Sequence, residues 1–129
     1  MTTLGVGVDL VDVARFALAL ERHPRIVERL FTDDERRDAQ ARPERLAARF
    51  AAKEAVLKSL RVGLGAAPWH CIEVARAPSG AVSLRLSGPA AALARAQGVD
   101  QWHLSLSHTP LTAAAFVVAS AAPEPRRAR

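Results

Sequence analysis

Apolar and polar positions alternate at the start of the chain: Leu4, Val6, Val8 and Leu10 take every second place, with Gly5, Gly7 and Asp9 between them. That period of two predicts a half-buried strand. One face then carries two glycines and a carboxylate, so another backbone or a ligand can approach it closely. From Val13 the period becomes helical, and Asp12 is placed to cap a helix over Val13 to Glu21. Pro24 opens a short second helix. Thr32-Asp33-Asp34-Glu35 reads as a capping box for a third, with Thr32 at the cap and Glu35 three places on.

The longest helical pattern runs from Arg42 to Leu60. Pro43 suits a first turn, where its missing N–H costs nothing, and Glu44 suits the positive end of the helix dipole, so about five turns are predicted. On a wheel of about 100° per residue, Leu46, Phe50, Lys53, Leu57 and Leu60 gather on one side. Glu54 lies at the margin of that stripe and Lys58 one turn beyond it. The small side chains of Ala47 and Ala51 flank Glu54 and leave room for something to dock. The plain alternative is an (i, i+4) surface pair between Glu54 and Lys58, worth a few tenths of a kcal/mol.

Gly63 and Gly65 end this helix in a loop that suits either a simple C-cap and turn or backbone contact with phosphate. Cys71 to Ala77 and Ala81 to Leu86 form a hairpin turning at Pro78-Ser79-Gly80, and Pro89 to Gln97 is an alanine-rich helix stopped by Gly98. Gln101 to Ser107 and Leu111 to Ser120 pair through a turn at His108-Thr109-Pro110, which leaves His108 facing solvent or a ligand. The pattern predicts an α+β fold, an antiparallel sheet packed on one long helix. A single domain is expected over residues 1–120, with a disordered basic tail over 121–129.

Charge narrows the partners. The formal net charge is +5, but the last seven residues hold three arginines and one glutamate, which leaves +3 for the rest. That moderate excess suits an acidic partner or a phosphate-rich ligand. Only two of the 18 basic residues, Lys53 and Lys58, are lysines, and both lie in the long helix. In a chain otherwise relying on arginine, this hints at a need for a compact ammonium that can release a proton. The single cysteine excludes an internal disulfide framework, no His/Cys spacing of the zinc kind occurs, and no apolar run is long enough to cross a membrane. Met-Thr-Thr leads directly into the strand rather than into a secretory leader, so a cytoplasmic protein is expected. A non-catalytic basic nucleic-acid-binding module is the rival from another class. Against it stand six aromatic residues, none of them tyrosine, and the concentration of positive charge in the tail.

Four blocks considered together resemble one family: Gly5-Val-Gly-Val-Asp9-Leu-Val-Asp12; Phe31-Thr32-x-x-Glu35; Arg49-Phe-Ala-Ala-Lys-Glu-Ala55 with Lys58; and His103-Leu-Ser-Leu-Ser-His108. In order and spacing they are similar to the holo-acyl-carrier-protein synthases, the short single-domain 4′-phosphopantetheinyl transferases. The resemblance runs from about Leu4 to Ala119. It implies transfer of the phosphopantetheine arm of coenzyme A to a serine of apo-acyl carrier protein, with release of adenosine 3′,5′-bisphosphate. It further implies that Asp9 and Glu54 hold Mg2+ on the pyrophosphate, that the serine attacks the β-phosphorus in line, and that Lys58 meets the departing phosphate. A metal-bound water, or a water held by Glu54, is the implied base. His108 would contact the nucleotide end at its 3′-phosphate, with Gly63 and Gly65 lining the same pocket. Arg15 and Arg22 would receive the acidic recognition helix of the carrier, and the enzyme would be a homotrimer with sites between subunits. A transferase dedicated to polyketide or peptide synthase carrier domains is an alternative within the same chemistry. Two positions depart from the family pattern: Arg61 stands where many relatives have glycine, and Gly80-Ala81-Val82 stands where Gly-Lys-Pro is common.

Overall fold

A computed structural model describes residues 1–124 of the chain. Of the tail expected at 121–129, residues 125–129 lie outside the described residues. The elements follow in the order β1 (Thr2–Asp12), α1 (Val13–Arg22), α2 (Arg25–Leu30), α3 (Asp33–Ala39), α4 (Pro43–Ser59), a 3-10 turn (Trp69–Cys71), β2 (Ile72–Arg76), β3 (Val82–Leu86), α5 (Gly88–Ala96), β4 (Gln101–His108) and β5 (Thr112–Ala121). The class is α+β. Strands β1, β5 and β4 pair antiparallel in that order, and β2 and β3 form a separate two-stranded sheet.

The helix starts are set by local chemistry. Asp12 caps α1 by accepting the backbone N–H of Arg15 at 2.9 Å. Thr32 and Glu35 form a complete capping box on α3, each side chain accepting the other's backbone N–H, and Pro43 opens α4. Caps of this kind are each worth about 1 kcal/mol. Between α3 and α4 the chain turns through two left-handed residues, Gln40 and Ala41, with φ of 52° and 57°. After α4, Arg61 also stands at a φ of 57°, at one of the two positions where it departs from the family pattern.

Helix α4 is central rather than amphipathic. Leu46, Ala47, Ala48, Ala51, Ala52, Ala55, Val56 and Leu57 are all buried. The room predicted beside Ala47 and Ala51 is therefore taken up by close packing: Ala47 and Ala48 meet Ala113, and Ala51, Ala52 and Ala55 join Ile72, Val74, Ala115 and Val117 in the main core. Strand β1 presents its glycine face to this helix. A Cβ on Gly5 would overlap the carbonyl oxygen of Ser59, and one on Gly7 that of Ala55. The backbone that approaches the bare face is that of α4. The apolar side chains of β1 point the other way, leaving Val6 at 66%, Val8 at 45% and Leu10 at 67% exposure, beside Phe116 of β5 at 58%.

Candidate active site

Asp9 follows Gly5 and Gly7 on the inner face of β1 and is almost buried. Because those glycines let α4 lie directly on the strand, the Asp9 carboxylate reaches the C-terminal half of the helix. Lys58 donates from Nζ to Asp9 Oδ1 at 2.9 Å and to the carbonyl oxygen of Val8 at 3.1 Å. Glu54, one turn earlier on α4, completes the cluster. Its carboxyl pKa is raised, chiefly by burial and then by the charge of Asp9, with Lys58 opposing both. Two carboxylates that repel one another, with one ammonium bonded to Asp9, favour a further cation. Among the described residues no group of three His, Cys, Asp or Glu gathers, so the donor set is the two carboxylates. That fits a hard, oxygen-seeking cation which keeps several waters and takes its remaining ligands from phosphate.

His108 ends β4 on the same inner face as Leu106, beside a hollow of about 260 Å³ lined also by Arg45, Ala48, Arg49, Arg76, Gly80 and Val82. Arg49 is 4% exposed. Its Nη1 donates to the carbonyl oxygen of Arg45 at 3.2 Å, while its Nε has no partner. Burial lowers its pKa; Asp38 and Glu35 oppose this, and Arg76 and Arg45 add to the lowering. Three guanidiniums and an imidazole around one hollow, one of them buried and underbonded, suit an anion. Sequence reasoning singled out His108 but not the arginines beside it. The (i, i+4) spacing of Arg45 and Arg49 was the available signal for two of them.

Within one chain this basic hollow and the carboxylate cluster do not meet. Arg49 and Glu54 are five residues apart, about 140° round the helix. The strands carrying Asp9 and His108 are the two opposite edges of the sheet. Gly63 and Gly65 lie in the exposed loop after α4, outside the residues lining the basic hollow. An added Cβ would meet nothing within 4 Å at either, although the φ of 88° at Gly65 favours glycine.

Arg15 and Arg22 are exposed on α1, and neither pairs with a carboxylate among the described residues. Arg22 also borders an open hollow of about 530 Å³ with His23, Pro24, Arg25, Ile26 and Arg29, which extends the basic surface onto α2. A basic rim around an aliphatic side chain suits an acidic, amphipathic helix.

Comparison with known proteins places the chain in a family. Residues 5–119 match the family model of the 4′-phosphopantetheinyl transferase superfamily. The chain is 55% identical over 122 residues to the holo-[acyl-carrier-protein] synthase of Frankia alni, covering 92% of this chain and 98% of that protein. The fold is similar to the Chronobacterium ammoniagenes ACPS–CoA complex, with a TM-score of 0.80 at 34% identity, over 92% of this chain and 98% of that one. It is also similar to Helicobacter pylori holo-[acyl-carrier-protein] synthase in complex with coenzyme A, with a TM-score of 0.81 at 28% identity, over 89% and 99% of the two chains.

Proposed function

This chain belongs to the 4′-phosphopantetheinyl transferase superfamily, and on that premise we propose that it moves the 4′-phosphopantetheine group of coenzyme A onto a serine of apo-acyl carrier protein, leaving adenosine 3′,5′-bisphosphate. The observation that carries this reading is the convergence of Asp9, Glu54 and Lys58 where β1 lies on α4.

Asp9 and Glu54 are the residues that would hold Mg2+, which supplies charge neutralisation and orientation of the pyrophosphate when bound. The serine oxygen bonds to the β-phosphorus as the bond from that phosphorus to the bridging oxygen breaks. A water held by Glu54 takes the serine proton and passes it to that carboxylate. Lys58 is exposed enough to swing from Asp9 toward the charge that develops on the leaving bisphosphate. The hollow at Arg45, Arg49, Arg76 and His108 receives the 3′-phosphate of the nucleotide end. Arg76 lies near the turn at Gly80, 3.8 Å from a Cβ added there, and supplies positive charge where Ala81 replaces the lysine common in relatives. Arg15 and Arg22 dock the carrier.

The assembly we propose is a homotrimer. Its support is the outward apolar face of β1 and β5, together with the two half-sites facing away from each other on one chain. No described helix is long and apolar enough to cross a membrane, and the single free cysteine suits a reducing cytoplasm.

Intact-mass measurement of apo-carrier protein incubated with coenzyme A and Mg2+ tests the reading. A phosphopantetheine increment is expected with this chain, and its near-complete loss with Asp9→Asn or Glu54→Gln. An unmodified carrier with active wild-type protein absent from the mixture serves as the blank; an unmodified carrier in the full reaction overturns the reading. Carrier domains of polyketide and peptide synthases, assayed beside a fatty-acid carrier, rank the carrier classes.

A further inference from the structure

We infer that Lys53, held by Glu35, is the positioning residue that fixes the rotation of α4 about its axis and thereby places Glu54 against Asp9. The inference rests on Glu54 being a metal-holding carboxylate, as proposed above. Lys53 and Glu35 are both fully buried. The Lys53 ammonium spends all three donors, on Glu35 Oε1 at 2.7 Å, on the carbonyl oxygen of Trp69 at 3.0 Å and on that of Ile72. Glu35 in turn accepts the backbone N–H of Thr32 on Oε1 and that of Val74 on Oε2, each at 3.0 Å. The Thr32 hydroxyl donates to Glu73 at 2.6 Å. One buried pair thus ties α4 to the start of α3, to the 3-10 turn and to β2.

On the other flank of α4 the polar ties to β1 come from Lys58, whose side chain is half-exposed, rather than from a buried pair. There the helix rests on Gly5 and Gly7, backbone against backbone. That contact fixes how close the helix lies, and the glycines offer no side chain there to interlock with it. Lys53 directly precedes Glu54, about 100° round the helix. With a helix radius of roughly 6 Å including side chains, a rotation of about 10° moves a carboxylate by about 1 Å. A displacement of that size is enough to cost on the order of 100-fold in rate. The residue type fits the place: a compact ammonium on a flexible stem has three rotatable donors, and each meets an acceptor on a different element.

The test uses the full chain with Lys53→Met, which keeps the aliphatic stem and removes the ammonium, and with Glu35→Asp, which keeps the charge and shortens its arm. Leu30→Ala, a core change in the separate cluster with Phe31 and Ala39, is the control for general destabilisation. Each variant is assayed well below its own melting temperature, for turnover and for Mn2+ binding by electron paramagnetic resonance with saturating coenzyme A. Both clamp variants are expected to bind Mn2+ at least fivefold more weakly and to lose tenfold or more in kcat, with the KM for coenzyme A changed less than twofold. Leu30→Ala should lower the melting temperature alone. Should Lys53→Met fail to fold, Glu35→Asp carries the same expectations. Wild-type Mn2+ affinity and kcat in the folded clamp variants overturn the inference, as does an equal loss in Leu30→Ala. Glu54→Gln in the same binding assay separates the two levels: wild-type Mn2+ affinity there overturns the Glu54 reading and the clamp with it, whereas a loss confined to Glu54→Gln overturns the clamp alone.

Discussion

Glu54 is under strain of a kind that can be measured without any substrate. Its carboxyl pKa is raised by burial first and by Asp9 second, so the folded chain holds that proton more tightly than the unfolded one. Stability from this group is therefore fully present below the unfolded value of about 4.3, and is lost as pH rises through the higher folded value. Glu54→Gln removes the loss. In chelator, the melting temperature of Glu54→Gln should exceed that of the wild type by a margin that opens as pH rises through this window and vanishes at the acid end. Added Mg2+ should raise only the wild type. A glutamine variant less stable than wild type at neutral pH without metal would show that Glu54 has a favourable partner instead. At this scale the sequence pointed to Asp9, Glu54 and Lys58 through the resemblance of their motifs; helix spacing alone suited an exposed Glu54–Lys58 pair, and the bare face of β1 marked Asp9 only as a candidate. Lys53 was noticed for its rarity and not for its contacts. Its partners lie 18 residues back and 16 and 19 residues ahead, and pairing at that range leaves no local signature. Burial lowers its ammonium pKa, with Glu35 opposing, and the three bonds tie it in place.

Among the elements, the alternation of β1 correctly identified which residues share a face but could not say which face turns inward, since a period of two is the same read from either side. The glycine face won because α4 needs backbone contact there. Gly7→Ala should accordingly cost about 3 kcal/mol or more, since a rigid carbonyl cannot yield to the new methyl. In a domain of this size that is a fall of about 10 °C or more. Gly63→Ala, where an added Cβ meets nothing, should leave the melting temperature within a degree or two, on the order of the error for a surface change. Equal shifts in the two variants would show that the seam between β1 and α4 is not close-packed. The short helices make a different prediction. Arg15 and Arg22 on α1, with Arg25 and Arg29 on α2, are exposed charges screened by salt over about 8–10 Å, so the KM for carrier should climb with ionic strength. Arg15→Glu should raise that KM at low salt and leave the KM for coenzyme A nearly unchanged. A matching rise in both would mark Arg15 as a support for the fold.

For the whole molecule, the arrangement of the two half-sites becomes a statement about assembly. The carboxylate cluster opens at the β1 edge of the sheet and the basic hollow at the β4 edge, with α4 between them. Arg45 and Lys58 are thirteen residues apart, about 20 Å along the helix axis. One donor molecule spanning a carboxylate half and a basic half is therefore best served by two chains. The exposed row of Val6, Val8, Leu10 and Phe116 offers the apolar face through which copies can join, in a ring that closes when each copy presents one edge to the next. Complementation decides whether the chains share sites in this way. Glu54→Gln disables the carboxylate half, while His108→Ala combined with Arg76→Ala disables the basic half through two exposed side chains. Each protein alone should be nearly inactive. If the halves come from neighbouring chains, random assembly of equal amounts leaves about one junction in four with both halves intact. Co-refolded mixtures should then regain about a quarter of wild-type turnover at saturating coenzyme A. A mixture no more active than the sum of its parts would place both halves in a single chain and require the donor to cross the sheet from one edge to the other.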